Sequence, residues 1–209
     1  WCLERVPAAG ALFSATKVGT MVQSSGVYEM RESERLWGID RFDLQQIHNL
    51  LNWEGHLETL REWKEVGRIR HIGITTSHGR RHDTFETVMA TQALDFAQFT
   101  YNILDREAEK RLLPLARERG VAVIANRPFR QKDLFRLFGD RKLPEWVSEI
   151  DCANWAQFFL KFVISHPDVT CAIPATTRVD HMRENMGALE GRLPDAAMRR
   201  RMIEYVESL

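Results

Sequence analysis

Short apolar runs alternate along the chain with longer stretches of helical period. Leu12 to Val18 predicts a strand, followed by a weak helix from about Val27 to Trp37 and a second strand over Phe42 to His48. Leu57, Leu60, Trp63, Lys64 and Val66 then recur at helical spacing, with Gly67 as a stop. Ile69 to Ile74 predicts a strand, and Phe85, Val88 and Met89 mark a helix. Phe96 to Tyr101 predicts another strand, and Ala108, Leu112, Leu115 and Ala116 a helix that ends at Gly120. Val121 to Ala125 reads as a buried strand. An insertion with Phe129, Leu134, Phe135, Leu137 and Phe138 precedes an aromatic helix with Trp155, Phe158, Phe159, Phe162 and Val163. Val169 to Ile173 is the last predicted strand, and two helices follow it.

The alternation of strand and helix repeats about six times, at the roughly 25–30 residues of one βα unit. Continuous apolar strands such as Val121–Ala125 fit a parallel sheet covered on both faces. A doubly wound sheet and a (β/α)8 barrel both satisfy this order. A dinucleotide-binding sheet wants G-x-G-x-x-G after its first strand, and none occurs. A barrel collects functional groups at the C-terminal ends of several strands. Lys17, His48, Asn49, Thr75, Thr76, Gln98, Asn126, Arg127, Thr176 and Thr177 stand at such ends, which favours an α/β fold of the (β/α)8 TIM-barrel type. A closed barrel has eight strands. The expectation is therefore a single barrel domain over residues 1–209, truncated by its first two βα units.

Composition narrows the function classes. Lys plus Arg and Asp plus Glu both number 29, so formal net charge is zero and no broad basic face for nucleic acid is indicated. The short run Arg199-Arg200-Arg201 lies in a helical pattern and reads as a solvated face. Cys2, Cys152 and Cys171 are far apart, without metal-ligand spacing, and read as reduced, buried thiols in a cytoplasmic setting. No apolar run is long enough to span a bilayer. The chain opens on Trp1 rather than an initiator Met, so the native N-terminus is expected upstream.

Two features carry candidate chemistry. Lys17 and His48 end adjacent predicted strands, and neighbouring strands lie about 5 Å apart, so both side chains converge on one region. Separately, Ile173-Pro174-Ala175-Thr176-Thr177-Arg178 leads into a helix start near Val179, where hydroxyls, an arginine and free helix N–H groups suit an anion. Ordinary Thr capping is the structural alternative. Together they point to a phosphate-bearing ligand reaching toward Lys17 and His48.

These residues also carry a resemblance. Ala15-Thr16-Lys17-Val18, Ile47-His48-Asn49, Gly67-Arg68-Ile69-Arg70-His71-Ile72-Gly73, Gln98 with Tyr101-Asn102, and Ile173-Pro174 before a Thr-Thr-Arg helix start are similar, in order and spacing, to the aldo/keto reductase superfamily. The likeness runs from about Leu12 to the C-terminal helices, and residues 144–173 most resemble bacterial members. The resemblance implies reversible reduction of a small aldehyde or ketone by NADP(H). Such enzymes use a tyrosine acid, a lysine that lowers its pKa, an aspartate paired with that lysine, and a histidine that orients the carbonyl. Lys17 and His48 match the lysine and histidine. For the cofactor, Asn49, Thr75, Thr76 and Gln98 match carboxamide-holding positions, and Arg127, Pro128 and Phe129 a loop against the pyrophosphate. Thr176, Arg178 and His181 match the surroundings of a 2′-phosphate, and Asn185 those of the adenine. No metal is implied.

Departures qualify the match. No residue corresponds to the family's tyrosine or aspartate. Asn126 stands where many relatives carry an aromatic, Thr75-Thr76 replaces a serine-asparagine pair, and Glu34 takes an apolar helix position. Two other readings remain open from the sequence: a nucleotide-binding barrel without turnover, and an unrelated phosphate-using isomerase or aldolase in which Lys17 forms a Schiff base.

Overall fold

The computed structural model describes residues 12–209; Trp1 and Cys2 lie outside them. The strands are β1 (Ala15–Val18), β2 (Phe42–Ile47), β3 (Ile69–Thr75), β4 (Phe96–Thr100), β5 (Ala122–Asn126) and β6 (Cys171–Ala172). They follow one another in the sheet in chain order, and the paired registers are parallel. Parallel neighbours need crossovers, which the intervening helices supply. The expected strand–helix alternation is therefore observed, as in a (β/α)-barrel. By compactness the residues divide into two units, one through Thr76 plus Arg81–Gln98, the other Ser77–Arg80 plus Phe99–Leu209.

The first unit packs α1 (Gln23–Trp37), α2 (Trp53–Glu65) and α3 (His82–Thr91) with its strands. Register places Val18, Ile47 and Ile74 in one row, each fully buried. Burying a side chain of that kind contributes about 1.5–3 kcal/mol. Gly26 sets how closely α1 approaches α2, because a Cβ there would lie 2.4 Å from His56 Cε1. Strand β1 is shorter than the expected Leu12–Val18. Asp43 accepts from the Ser14 N–H (2.8 Å) and hydroxyl (3.0 Å), and Leu12 and Phe13 are exposed. Helix α1 begins four residues earlier than the apolar pattern indicates. Glu34 explains its own anomaly: it pairs with Arg68 at 2.6 Å, and that guanidinium also lies over Trp63.

The second unit holds α4 (Leu112–Arg119), α5 (Asp133–Phe138), α6 (Trp155–Ile164), α7 (Val179–Met186) and α8 (Ala196–Glu207). Phe158, Phe159 and Phe162 bury the aromatic face of α6, and Asn154 caps it by accepting from the Gln157 N–H at 2.9 Å. Strand β6 is shorter than Val169–Ile173. The Thr170 hydroxyl, rather than a backbone carbonyl, takes the Val123 N–H, and Pro174 has no N–H to continue the ladder.

Two expectations are corrected here. Arg199 is not on a solvated face: it is buried, and donates to the Phe162 carbonyl, the Ser165 hydroxyl (3.0 Å) and the Tyr101 hydroxyl (2.6 Å). The helix-facing core offers polar acceptors at that position, which a one-dimensional charge run cannot show. Cys171 is exposed rather than buried, because it sits in the short terminal strand of the sheet; Cys152 is buried as expected.

Candidate functional site

In the first unit the parallel register decides which side chains share a face. Lys17 pairs with Gln46, Gln46 with Gly73, and Thr75 with Gln98. Side chains alternate along a strand, so Lys17, Gln46, Thr75 and Gln98 lie on one face. Lys17 is half-buried, and burial holds its pKa below the usual lysine value. His48 follows the end of β2 and is exposed. Its pKa is also lowered, first by desolvation and then by the Lys17 ammonium, with Glu29 opposing. The imidazole is therefore neutral near pH 7 and carries one N–H to donate.

Supporting groups fix this corner. The Gly19 N–H donates to Glu29 Oε2 at 3.0 Å, and a Cβ on Gly19 would come within 3.2 Å of His48 Nδ1. A glycine there lets the loop after β1 pass against the imidazole. Asn49 and Leu50 adopt left-handed backbone, φ 53° and 54°. The Asn49 N–H donates to Thr75 Oγ1 at 3.0 Å, while Arg81 Nη1 donates to the Asn49 and Leu50 carbonyls at 3.2 and 3.0 Å. Such strained, clamped backbone is characteristic of functional loops. Gln46 Nε2 donates to Gln98 Oε1 at 3.3 Å, and the Thr76 N–H donates to the Gln98 carbonyl at 2.9 Å. Among the described residues Gln46 Oε1 has no hydrogen-bond partner, although the residue is buried. Gln46, Gly19 and Glu29 are not among the residues that the sequence marks as candidates. A glutamine inside an otherwise buried strand, in register with Lys17, was the available signal for Gln46; nothing local marks the other two.

In the second unit, β5 ends in Asn126, whose Oδ1 accepts from Thr100 Oγ1 at 2.8 Å. Arg127 is left-handed at φ 53°, as are Arg130 and Gln131. Asn102 Nδ2 and the Arg130 N–H both donate to the Arg127 carbonyl, at 3.0 and 2.8 Å. Pro128 and Phe129 are buried, and Phe129 packs on Phe135 with ring centroids 4.9 Å apart. At the start of α7 the Arg178 N–H donates to Thr176 Oγ1 at 3.1 Å, so that hydroxyl serves a turn rather than a helix cap. Arg178 is paired with Asp180 and exposed. His181 is exposed, and Asn185 is buried with Nδ2 donating to the Pro174 carbonyl at 3.4 Å.

A dinucleotide needs amide-directed donors and acceptors at one end and cations at its phosphates. The first unit offers buried amides with one open acceptor, at Gln46 Oε1. The second offers Arg127, with an unpartnered buried Nε, and Arg178 beside the first turn of α7. Each set, taken by itself, suits the corresponding part of such a group. Among the described residues no cluster of His, Cys, Asp and Glu is placed to hold a metal, and no helix is long and apolar enough to cross a membrane.

Parallel strands with polar groups at their C-terminal ends define a (β/α)-barrel site. The chain belongs to the aldo/keto reductase family, whose model matches residues 11–202. It is 26% identical over 166 residues to an uncharacterized oxidoreductase of Schizosaccharomyces pombe, covering 77% of this chain and 51% of the relative. It is 27% identical over 216 residues to the NADH-specific methylglyoxal reductase of Escherichia coli, covering 86% and 64%. The chain thus spans only about half to two thirds of these curated relatives. Among solved structures, a holo-form aldo-keto reductase from Bacillus halodurans matches with a TM-score of 0.77 at 22% identity, over 96% of this chain and 74% of that one. The aldo/keto reductase from Klebsiella pneumoniae in complex with NADP and acetate matches with a TM-score of 0.76 at 22% identity, over 94% and 71%. These likenesses establish the fold.

Proposed function

We propose that the protein is a nicotinamide-dependent oxidoreductase that reduces small aldehydes or ketones to alcohols, with NADP(H) as its cofactor. The observation that carries this reading is the placement of Lys17 near the end of β1 and of His48 just past the end of the neighbouring β2, in a chain of this family. The bound cofactor would supply the hydride. Neutral His48 donates its N–H to the carbonyl oxygen and stabilises the charge that develops there. The Lys17 ammonium would lower the pKa of an acid placed beside it.

That acid is none of the chain's three tyrosines. Tyr28 is exposed on α1, the Tyr205 hydroxyl donates to the Lys142 carbonyl, and Tyr101 is fully buried with its hydroxyl donated to Glu109. Burial and Glu109 push the Tyr101 phenol far above its usual value, against Arg199. Turnover therefore needs a proton donor besides these residues, which favours binding without turnover as the second reading.

Asn49, Thr75, Thr76 and Gln98 are assigned to the carboxamide, Arg127, Pro128 and Phe129 to the pyrophosphate, Thr176, Arg178 and His181 to a 2′-phosphate, and Asn185 to the adenine. An anion at Arg178 has to compete with Asp180. Loss of absorbance at 340 nm with a panel of aldehydes and ketones tests turnover, and tryptophan fluorescence during NADPH and NADH titration tests binding. Saturable binding with turnover supports the enzyme; binding alone supports the second reading. No saturable change with either nucleotide would falsify both.

A further inference from the structure

The segment after β3 carries a histidine that none of the assigned roles uses. Ser77–Arg80 belongs to the second unit, with β5 and its following loop. The His78 N–H donates to Thr100 Oγ1 at 3.0 Å, and that same hydroxyl donates to Asn126 Oδ1 at 2.8 Å. His78 is itself left-handed, at φ 62°. Its ring is held from both sides: Nδ1 lies 2.9 Å from Ser77 Oγ, and Nε2 meets Arg127 Nη1.

An arginine nitrogen can only donate. His78 Nε2 must therefore be the acceptor, Nδ1 must carry the proton, and Ser77 Oγ must accept it. That assignment requires a neutral imidazole. Arg127 is meanwhile anchored through its carbonyl by Asn102 Nδ2 and the Arg130 N–H, and its Nε is buried without a partner among the described residues. One edge of the guanidinium is thus spent on His78, which fixes where the remaining donors point.

We propose that His78 is a positioning residue for Arg127: as a neutral Nε2 acceptor it aims the guanidinium at a phosphate oxygen, and protonation of its ring releases it. This rests on the assignment of Arg127 to the cofactor pyrophosphate. The charged groups facing His78 are Arg127, Arg80 and Asp105. Arg130 also pairs with Asp105, at 3.5 Å. Partial desolvation, then Arg127 and Arg80, hold the imidazole below its usual pKa, and Asp105 opposes them. The neutral form therefore prevails at pH 7, and acidification through the lowered value places two cations in contact.

The test uses the whole protein, with NADPH and inorganic pyrophosphate as probes, titrated by calorimetry at pH 7.5 and 5.5. The wild type is expected to bind about tenfold more weakly at the lower pH, the equivalent of roughly 1.4 kcal/mol. His78→Gln, whose amide oxygen accepts but does not titrate, should bind like wild type at pH 7.5 and lose the histidine-dependent part of the drop. His78→Phe, which cannot accept, should bind weakly at both pH values. Circular dichroism checks that each variant is folded. Equal pH dependence in wild type and His78→Gln would overturn the proposal, as would tighter wild-type binding in acid, which would mean that the imidazolium itself holds the anion. Arg127→Met separates the two levels. If it binds like wild type, the assignment of Arg127 fails; if it weakens binding while His78→Phe does not, only the role of His78 fails.

Discussion

The first unit and the α6–α8 region of the second treat buried polar groups in opposite ways. In the first, hydrogen-bonding capacity is left open: Gln45 Nε2, Gln46 Oε1, His56 Nδ1 and His82 Nε2 are buried without partners among the described residues. In the second, the comparable network is closed. Arg199 joins the Tyr101 hydroxyl, Glu109, Ser165 and the Phe162 carbonyl, and Lys161 donates to the Glu190 and Arg192 carbonyls at 2.6 and 2.9 Å. An unpaired buried polar atom costs about 1–3 kcal/mol, whereas a satisfied network rigidifies its surroundings. The contrast teaches that the first unit carries open polar atoms at a cost in stability, with Gln46 among them in register with Lys17, while polarity beneath α8 serves the fold.

Four substitutions break or sharpen this contrast. Lys17→Met should show the largest effect. Carbonyl reduction by the whole protein should fall by about 100-fold or more in kcat, the range of a lost acid–base contribution, with the melting temperature nearly unchanged. An equal loss of stability would place Lys17 among structural cations instead. Arg199→Leu should behave in the reverse manner. Stability should drop by about 2–4 kcal/mol in urea unfolding, because Glu109 and the Phe162 carbonyl lose their cation, while nucleotide affinity of the folded protein holds.

The third concerns pH. Burial would raise the Asp43 pKa, but the Ser14 N–H, Arg70 and the Ser14 hydroxyl outweigh it and bring the carboxyl below its usual value. A depressed carboxylate adds stability that is complete above the ordinary carboxylate range and is lost as pH falls through the folded value. Asp43→Asn should therefore be less stable than wild type at pH 7, and the gap should close as pH falls toward 3. A gap independent of pH would mean that the ionised form contributes nothing. The smallest effect is expected at Gln45→Met. Exchanging a buried amide with an orphan Nε2 for an apolar side chain of similar size should be neutral or raise stability by up to about 1 kcal/mol. A clear loss would show that Gln45 is held by partners after all.

Much of the fold was legible along the chain because apolar runs and helical periods report burial directly. Strands begin at Ala15, Phe42, Ile69, Phe96 and Ala122, an interval close to the length of one βα unit. The strand ends were less legible. Ser14 and Asp43 replace part of the β1 ladder with side-chain bonds, and Thr170 does the same beside β6. Hydropathy cannot distinguish those bonds from backbone ones.

The same division applies to the site. By itself, the sequence determined that Lys17 and His48 stand at the ends of neighbouring strands, that Thr75 does likewise while Gln98 lies within its strand, and that a cationic turn precedes α7. Strand order and residue type suffice for those statements. Only the tertiary structure decided that Gln46 shares the face of Lys17, that Glu29 reaches Gly19 beside His48, and that His78 accepts from Arg127. It also decided that Arg199 is buried while Cys171 is not. The reason is physical. Periodicity records whether a position faces water or the core, but a hydrogen bond between residues dozens of positions apart leaves no periodic trace.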